Sequence, residues 1–213
     1  MENYKTIKDN GLFEEEVKKT IVFDCQIKRI TTEEEGKAFI IAIKKEHYKA
    51  NHSCSAMIIG DKSQIKRSSD DGEPSGTAGI PMLSVLEKQG LTNLVVVVTR
   101  YFGGIKLGTG GLIRAYSGVT AAAIKELGIV DVKKQAGLEV TLTYPQYQTY
   151  AQFLEQVALM ETETLFSDTI TTAIYFDPER EEEILAILTD YYHGKVQFTT
   201  IDPKIIEVPI MKE

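Results

Sequence analysis

The chain has 213 residues, of which 43% are hydrophobic and 26% charged, with a formal net charge of −7. That composition suits folded globular domains and excludes a disordered chain. The charge is divided unevenly: residues 1–134 carry 20 Lys and Arg against 17 Asp and Glu, whereas residues 135–213 carry 4 against 14, so a polyanion is tolerated by the first part and repelled by the second.

From Phe13 to Ile30 the chain reads as extended, with Val17, Ile21, Phe23 and Ile27 in β-favouring company. Thr31-Thr32-Glu33-Glu34-Glu35 starts a helix by a threonine cap with a glutamate three residues on. Phe39, Ile40 and Ile43 form its apolar stripe, and Lys44 and Lys45 suit its C-terminal end. His52 to Ile59 reads as a strand paired with Ile65 to Ser68. A polar loop from Asp70 to Gly79 leads to a short helix near Pro81 to Gln89. Leu94 to Arg100 is almost wholly apolar, which places it in the middle of a sheet. After a second glycine-rich loop, Gly111 to Leu127 is the longest helix. Its buried face is Leu112, Tyr116, Val119, Ala123 and Leu127, with Ala115, Gly118 and Ala122 small enough to press onto a sheet. Gly128 ends it in a left-handed cap.

The boundary between two domains falls near Asp131 to Gly137, giving 1–134 and 135–213. Leu138, Val140 and Leu142 alternate with polar residues in a half-buried strand. Pro145 opens a helix with Tyr150, Leu154 and Val157 inward. Strands follow near Thr164 to Phe166 and from Ile170 to Phe176. Asp177-Pro178 caps a second helix, with Ile184, Leu188 and Tyr191 as its stripe and Gly194 as its stop. Val196 to Val208 is the last strand, interrupted at Pro203. The fold class is α+β, and the order βαββαβ in the C-terminal domain is the ferredoxin-like split unit. The start, Met1-Glu2-Asn3-Tyr4-Lys5, has no apolar signal region, and Leu94 through Val98 is too short to span a bilayer. With only Cys25 and Cys54, these features predict a reduced cytoplasmic protein without structural disulfides and without a membrane partner.

Two loops could carry chemistry. The first runs Asp70-Asp71-Gly72-Glu73-Pro74-Ser75-Gly76-Thr77-Ala78-Gly79. The second runs Arg100-Tyr101-Phe102-Gly103-Gly104-Ile105-Lys106-Leu107-Gly108-Thr109-Gly110-Gly111 and leads to Arg114. The second is a strand-to-helix connection whose glycines let backbone N–H groups converge at a helix N-terminus, a geometry that suits an anion, with Lys106 and Arg114 completing the cradle. In the first, the carboxylates of Asp70, Asp71 and Glu73 could hold Mg²⁺. Tight turns and close packing account for such glycines equally well, and Asp-Gly and Glu-Pro are turn pairs. Neither loop meets a Walker A pattern, a dinucleotide fingerprint or an EF-hand. His52, Cys54, Ala56 and Ile58 share one face of their strand, which reads as a core face rather than a metal site. No catalytic residue and no firm cofactor can be named, and Cys25 reads as a buried inert thiol.

Asp70-Asp71-Gly72-Glu73-Pro74 with Gly76-Thr77-Ala78-Gly79 and Pro81 resembles the signature of the IMPACT/YigZ family. So does Val98-Thr99-Arg100-Tyr101-Phe102-Gly103-Gly104 with Lys106-Leu107-Gly108 and Gly110-Gly111-Leu112-Arg114-Ala115-Tyr116. The stretch His47 to Cys54 is similar as well, although Ser55 and Ala56 stand where the family usually has an aromatic. The resemblance covers the whole chain, as a prokaryotic two-domain member. It implies that the N-terminal domain shares the fold of a ribosomal small-subunit protein domain and elongation factor G domain IV, with a left-handed βαβ crossover. It implies a C-terminal domain like elongation factor G domain V.

Eukaryotic relatives regulate translation by binding a large ribosome-associated activator of an initiation-factor kinase, a pathway that prokaryotes lack. The resemblance therefore implies a non-enzymatic binding module that contacts ribosome, RNA or a translation protein. Its contact residues would be Asp70, Asp71, Gly72, Glu73, Thr77, Arg100, Tyr101, Phe102, Gly103, Gly104, Lys106, Gly108, Gly110, Gly111 and Arg114. The acidic C-terminal domain is not expected to bind nucleic acid. The alternative is a phosphate- or nucleotide-binding enzyme that uses the glycine loop and a Mg²⁺ on the acidic loop.

Overall fold

The structure, a computed structural model, describes residues 3–17, 21–102 and 107–210. The described residues fall into two units by their contacts, 3–132 with 207–210 and 133–206.

The first unit begins with strand β1 (Tyr4–Ile7), β2 (Gly11–Val17) and β3 (Ile21–Arg29), then helix α1 (Glu33–Glu46). Strands β4 (His52–Ile59) and β5 (Ile65–Ser69), helix α2 (Gly79–Lys88), strand β6 (Leu94–Tyr101) and helix α3 (Gly108–Leu127) follow. Five strands form an antiparallel sheet in the order β2-β3-β6-β4-β5. Strand β6, apolar on both faces from Leu94 to Val98, lies in the middle of the sheet. Val95 and Val97 pack with Met57, Ile59, Ile43 and Phe39 under α1. Leu94, Val96 and Val98 pack with Met82, Leu86, Leu112, Tyr116 and Val119 under α2 and α3. Cys54, Ala56 and Ile58 belong to that second face, as their alternation in the sequence implies.

Local signals explain the helices. Thr32 accepts the N–H of Glu35, while the Glu35 carboxylate accepts the N–H of Thr31 and of Thr32, closing both ends of a capping box. Helix α3 buries Leu112, Tyr116, Val119 and Ala123 as its spacing predicts, and it begins at Gly108, three residues before the expected Gly111. Gly118 does not press onto the sheet: a Cβ built there meets nothing within 4 Å. Gly128 has φ +77° but ψ 167°, so the helix ends on an extended glycine rather than a left-handed helical one. The extended run from Phe13 to Ile30 is two strands. Gly11 stands opposite Ile27 and Val17 opposite Ile21 in an antiparallel pair, and both strands share the period of two that makes the run read as one.

In the second unit, strand β7 (Ile129–Leu142) carries the chain across residues 132 and 133 without a break. Its first residues pair with β1 inside the first unit, Tyr4 opposite Val132. Helices α4 (Tyr144–Tyr147) and α5 (Tyr150–Val157), strands β8 (Glu161–Phe166) and β9 (Ile170–Phe176), helix α6 (Glu181–Tyr191) and strand β10 (Gln197–Pro209) complete it. The strand order is β10-β7-β9-β8. Leu138, Val140, Leu142, Phe153, Ile174, Ile184 and Leu188 form the core. The helix expected at Pro145 is split into α4, with a Thr143–Gln146 capping box, and α5. Asp177 does not cap a helix with its side chain; its carboxylate accepts Lys133 Nζ at 3.0 Å and Gln135 Nε2 at 3.2 Å. Strand β10 runs through Pro203 uninterrupted and is largely exposed, so this proline costs no core packing. Ile210 N–H donates to Ile129 O, and Arg29 grips the Glu207 carboxylate through both Nη atoms, which returns the chain end to the first unit.

Candidate functional site

The loop from Asp70 to Gly79 is organised by its own polar groups. The Asp70 carboxylate accepts the backbone N–H of Gly76 at 2.8 Å, of Ala78 at 3.0 Å and of Gly79 at 2.8 Å. Ala78, the residue before α2, has no side chain that could cap it, and Asp70 does so from eight residues away. Burial alone would raise the Asp70 carboxyl, but the three N–H donors outweigh it and hold the carboxyl below its ordinary value. Gly79 is essential here, since a Cβ would come 2.7 Å from Ser69 N and 2.9 Å from Ser69 C and O, all immovable backbone. Asp71 sits at φ +44°; its carboxylate accepts Ser53 N–H at 2.6 Å and pairs with Lys44 Nζ at 2.5 Å. Gly72 turns the chain at φ +87° beside His52. Thr77 is buried and donates its hydroxyl to Pro74 O at 2.7 Å.

This scaffold pushes Glu73 into the interior. Its Oε1 accepts Arg100 Nη1 at 2.7 Å and Tyr116 Oη at 2.8 Å, with the two charged side chains only 3% and 6% exposed. Arg100 is therefore not an outward cation. It has the strand parity of Val96 and Val98, which aims it under α2 and α3, and its guanidinium lies 5.9 Å from the Phe23 ring and 5.4 Å from the Phe102 ring. Arg100 Nε is buried with no hydrogen-bond partner. Three elements distant in sequence are tied at one point: the acidic loop, the end of β6 and helix α3. The parity of β6 could have revealed the burial of Arg100; nothing in a single sequence pairs it with Glu73.

Beside this ion pair opens a cavity of 390 Å³ lined by Asn51, His52, Glu73, Pro74, Arg100, Phe102, Leu107, Gly108, Thr109 and Leu112. Both loops of the sequence analysis contribute to it. Leu107, the residue before α3, supplies no side-chain cap, and no acidic residue occupies the first turn. Gly108 sits at φ +69°, a glycine backbone that brings the chain into the helix; Gly110 and Gly111 follow in the first turn. Arg114 is exposed on the next turn, and a Cβ built on Gly110 would lie 3.6 Å from its Nη1, so the guanidinium reaches back along the helix start. Phe102 is 44% exposed, its N–H held by Asn51 Oδ1 at 2.8 Å. Gly103, Gly104 and Lys106 lie outside the described residues.

Tyr101 points to the other face of the sheet. Its hydroxyl is 2.7 Å from His47 Nδ1, and His47 Nε2 lies 3.1 Å from Gln26 Nε2 and 3.7 Å from Asp24 Oδ2. With the Gln26 amide donating to Nε2, the Nδ1–H is left to donate to Tyr101. Burial raises the Asp24 carboxyl, His47 opposing it, and burial with the Asp24 and Glu46 charges raises the Tyr101 hydroxyl. Sequence reasoning missed this group, because its members come from β3, the end of α1 and β6. The thiols are not nucleophiles in this setting: burial raises Cys25, and it pushes Cys54 up to about 12. Among the described residues no cluster of three or more His, Cys, Asp or Glu is placed to hold a metal, and no helix is long and apolar enough to cross a membrane.

Residues 19–124, which include both loops, match the Impact N-terminal domain. The IMPACT family member YvyE of Bacillus subtilis (strain 168) is 37% identical over 195 residues, 92% of this chain and 89% of that protein. The IMPACT family member YigZ of Escherichia coli (strain K12) is 35% identical over 192 residues, 88% of this chain and 93% of that protein. A solved structure described as the crystal structure of an hypothetical protein superposes with a TM-score of 0.59 at 31% identity, covering 95% of this chain and 98% of the other. Similar along most of its length to such relatives, the chain belongs to the IMPACT family.

Proposed function

We propose that this IMPACT-family protein is a non-enzymatic, translation-associated binding module of the cytoplasm, and that its first unit contacts the ribosome through the face where the two loops meet. The observation that carries this reading is the open cavity at the start of α3, with Phe102 exposed on its lining and Arg114 exposed farther along the helix. Net charge agrees in direction, positive over residues 1–134 and strongly negative over residues 135–213. We read the first unit as the domain shared with a ribosomal small-subunit protein and elongation factor G domain IV. The second unit is read as ferredoxin-like, similar to elongation factor G domain V, and its βαββαβ order with strands β10-β7-β9-β8 supports that. Against a Mg²⁺-dependent enzyme counts the occupation of each acidic-loop carboxylate by protein donors: backbone N–H for Asp70, Lys44 for Asp71, Arg100 for Glu73.

Co-sedimentation with ribosomes across a salt series tests the reading. The wild type should pellet at low salt and be released as salt rises, and Arg114→Glu should be released at lower salt, with the salt slope reduced by about 1. Lys106→Glu is the companion variant taken from the sequence. Arg100→Glu is a poor probe, because it would set a second carboxylate against buried Glu73. Salt release of Arg114→Glu identical to that of the wild type would remove this face from the proposal.

A further inference from the structure

We propose that Asp24 and His47 form a one-proton latch between strand β3 and the end of helix α1, closed by mild acid and relaxed at alkaline pH. Their side chains are 7% and 12% exposed, and Asp24 Oδ2 lies 3.7 Å from His47 Nε2. Among the described residues His47 is the only ion-pair partner of this carboxylate, and Asp24 Oδ1 is buried without a hydrogen-bond partner. The residues around Asp24 do not relieve it. Thr99, opposite it on β6, directs its hydroxyl to Ser53, the two oxygens 3.2 Å apart. Glu14 stands opposite it on β2 and Glu46 precedes His47 at the end of α1, and both add negative charge.

One proton changes which contacts are made. With His47 neutral, the Gln26 amide bonds Nε2 at 3.1 Å and the Asp24 carboxylate, while Nδ1–H donates to Tyr101 Oη. The group then holds one buried negative charge. A further proton makes both ring nitrogens donors, so Gln26 must turn its N–H away and Nε2–H faces Asp24 directly. A bridge over a lone charge becomes a compensated ion pair. Its cation would stand at the negative end of α1, which His47 closes with its N–H on Ile43 O. On the far side of the ring, His47 and His52 line a pocket of about 180 Å³ in which Lys44 already pairs with Asp71. Burial holds the Asp24 carboxyl above its ordinary value, with His47 opposing it. A carboxyl raised in this way stabilises the fold below its unfolded value of about 3.9 and loses that contribution as pH climbs through the folded value. At this distance the proton belongs to the pair rather than to either residue. Residues 47–51 carry the latch to the margin of the loop face, where Asn51 N–H donates to Arg100 O and Asn51 Oδ1 accepts the Phe102 N–H.

Urea unfolding of the full chain at about pH 5.5 and about pH 8, which bracket ordinary imidazole titration, tests the latch with Asp24→Asn, His47→Gln and the double variant. Asp24→Asn keeps the shape and removes the charge. Its folding equilibrium constant should gain on that of the wild type by about tenfold between the lower and the higher pH. The coupling between the two substitutions should be favourable at the lower pH and fall roughly fivefold or more at the higher, where an imidazole ordinarily carries no charge. A purely structural role for Asp24 gives a gap that does not move with pH, and that result overturns the latch. So does a coupling equal at the two pH values. If Asp24→Asn does not fold, hydrogen exchange at the amide of residue 47 decides between the wild type and His47→Gln. Protection that rises on acidification in the wild type alone supports the latch, and protection that responds equally in both proteins overturns it.

Discussion

Helices α2 and α3 lie on the same face of one sheet, yet their N-termini are treated in opposite ways. The start of α2 is closed by Asp70, which reaches across its loop to take three N–H groups. Among the described residues the start of α3 has no capping side chain, its first turn has no acid, and a cavity lies against it. Both loops are rich in glycine, so composition alone does not separate them. The difference is where the negative charge comes from: the chain supplies it at α2 and leaves room for it at α3. A glycine-rich helix entrance is a candidate binding site only when its amides have not already been claimed from within.

The tie between the two starts is the Glu73–Arg100 pair, and breaking it should have the largest effect. Glu73→Ala leaves Arg100 buried without its counter-ion and Tyr116 without its acceptor. The expected loss is about 3–5 kcal/mol by urea unfolding, with Glu73→Leu combined with Arg100→Met recovering much of it. A loss under about 1 kcal/mol would mean that the pair is solvated and the two loops are independent.

Opening the closed start comes next. Asp70→Ala orphans three N–H groups at once and should cost about 2 kcal/mol. The same carboxylate contributes to acid sensitivity. Its folded-state pKa is depressed, so its stabilisation is complete above the unfolded value of about 3.9 and fades as pH falls through the folded one. Asp70→Asn should therefore lose less stability than the wild type on going from neutral pH to below about 4. Equal acid losses in the two proteins would show that Asp70 does not hold α2.

Thr32→Ala offers a calibration at α1, whose start is closed by a local capping box rather than by a distant loop. A loss of about 1 kcal/mol is expected, smaller than for Asp70 because one bond rather than three is removed. That cap was legible in the sequence, since both partners stand three residues apart. So was the central place of Leu94 to Arg100, whose apolar run can be covered only from both sides. The division of Phe13 to Ile30 into two paired strands was not, because both strands share one alternation, and neither was β1, four residues with no pattern of their own. At the site, the glycine and acid motifs marked the right loops but not the roles within them. Asp70 and Arg100 looked like surface charges; one is a cap and the other is buried, and both assignments depend on partners that only the fold brings near.

Thr109→Asp has the smallest expected effect and separates the two helix starts most sharply. If α3 is open, a carboxylate in its first turn meets free N–H groups and a positive helix end, and the protein gains about 0.3–1 kcal/mol at low salt. The gain should shrink as salt is raised, because Thr109 is exposed. The corresponding change at α2, Ile80→Asp, sets a second acid beside Asp70 at an exposed position and should give no gain or a small loss. Thermal unfolding of both variants at two salt concentrations reads the difference directly. Equal responses would mean that the α3 amides are as occupied as those of α2, and the electrostatic distinction between the two loops would disappear.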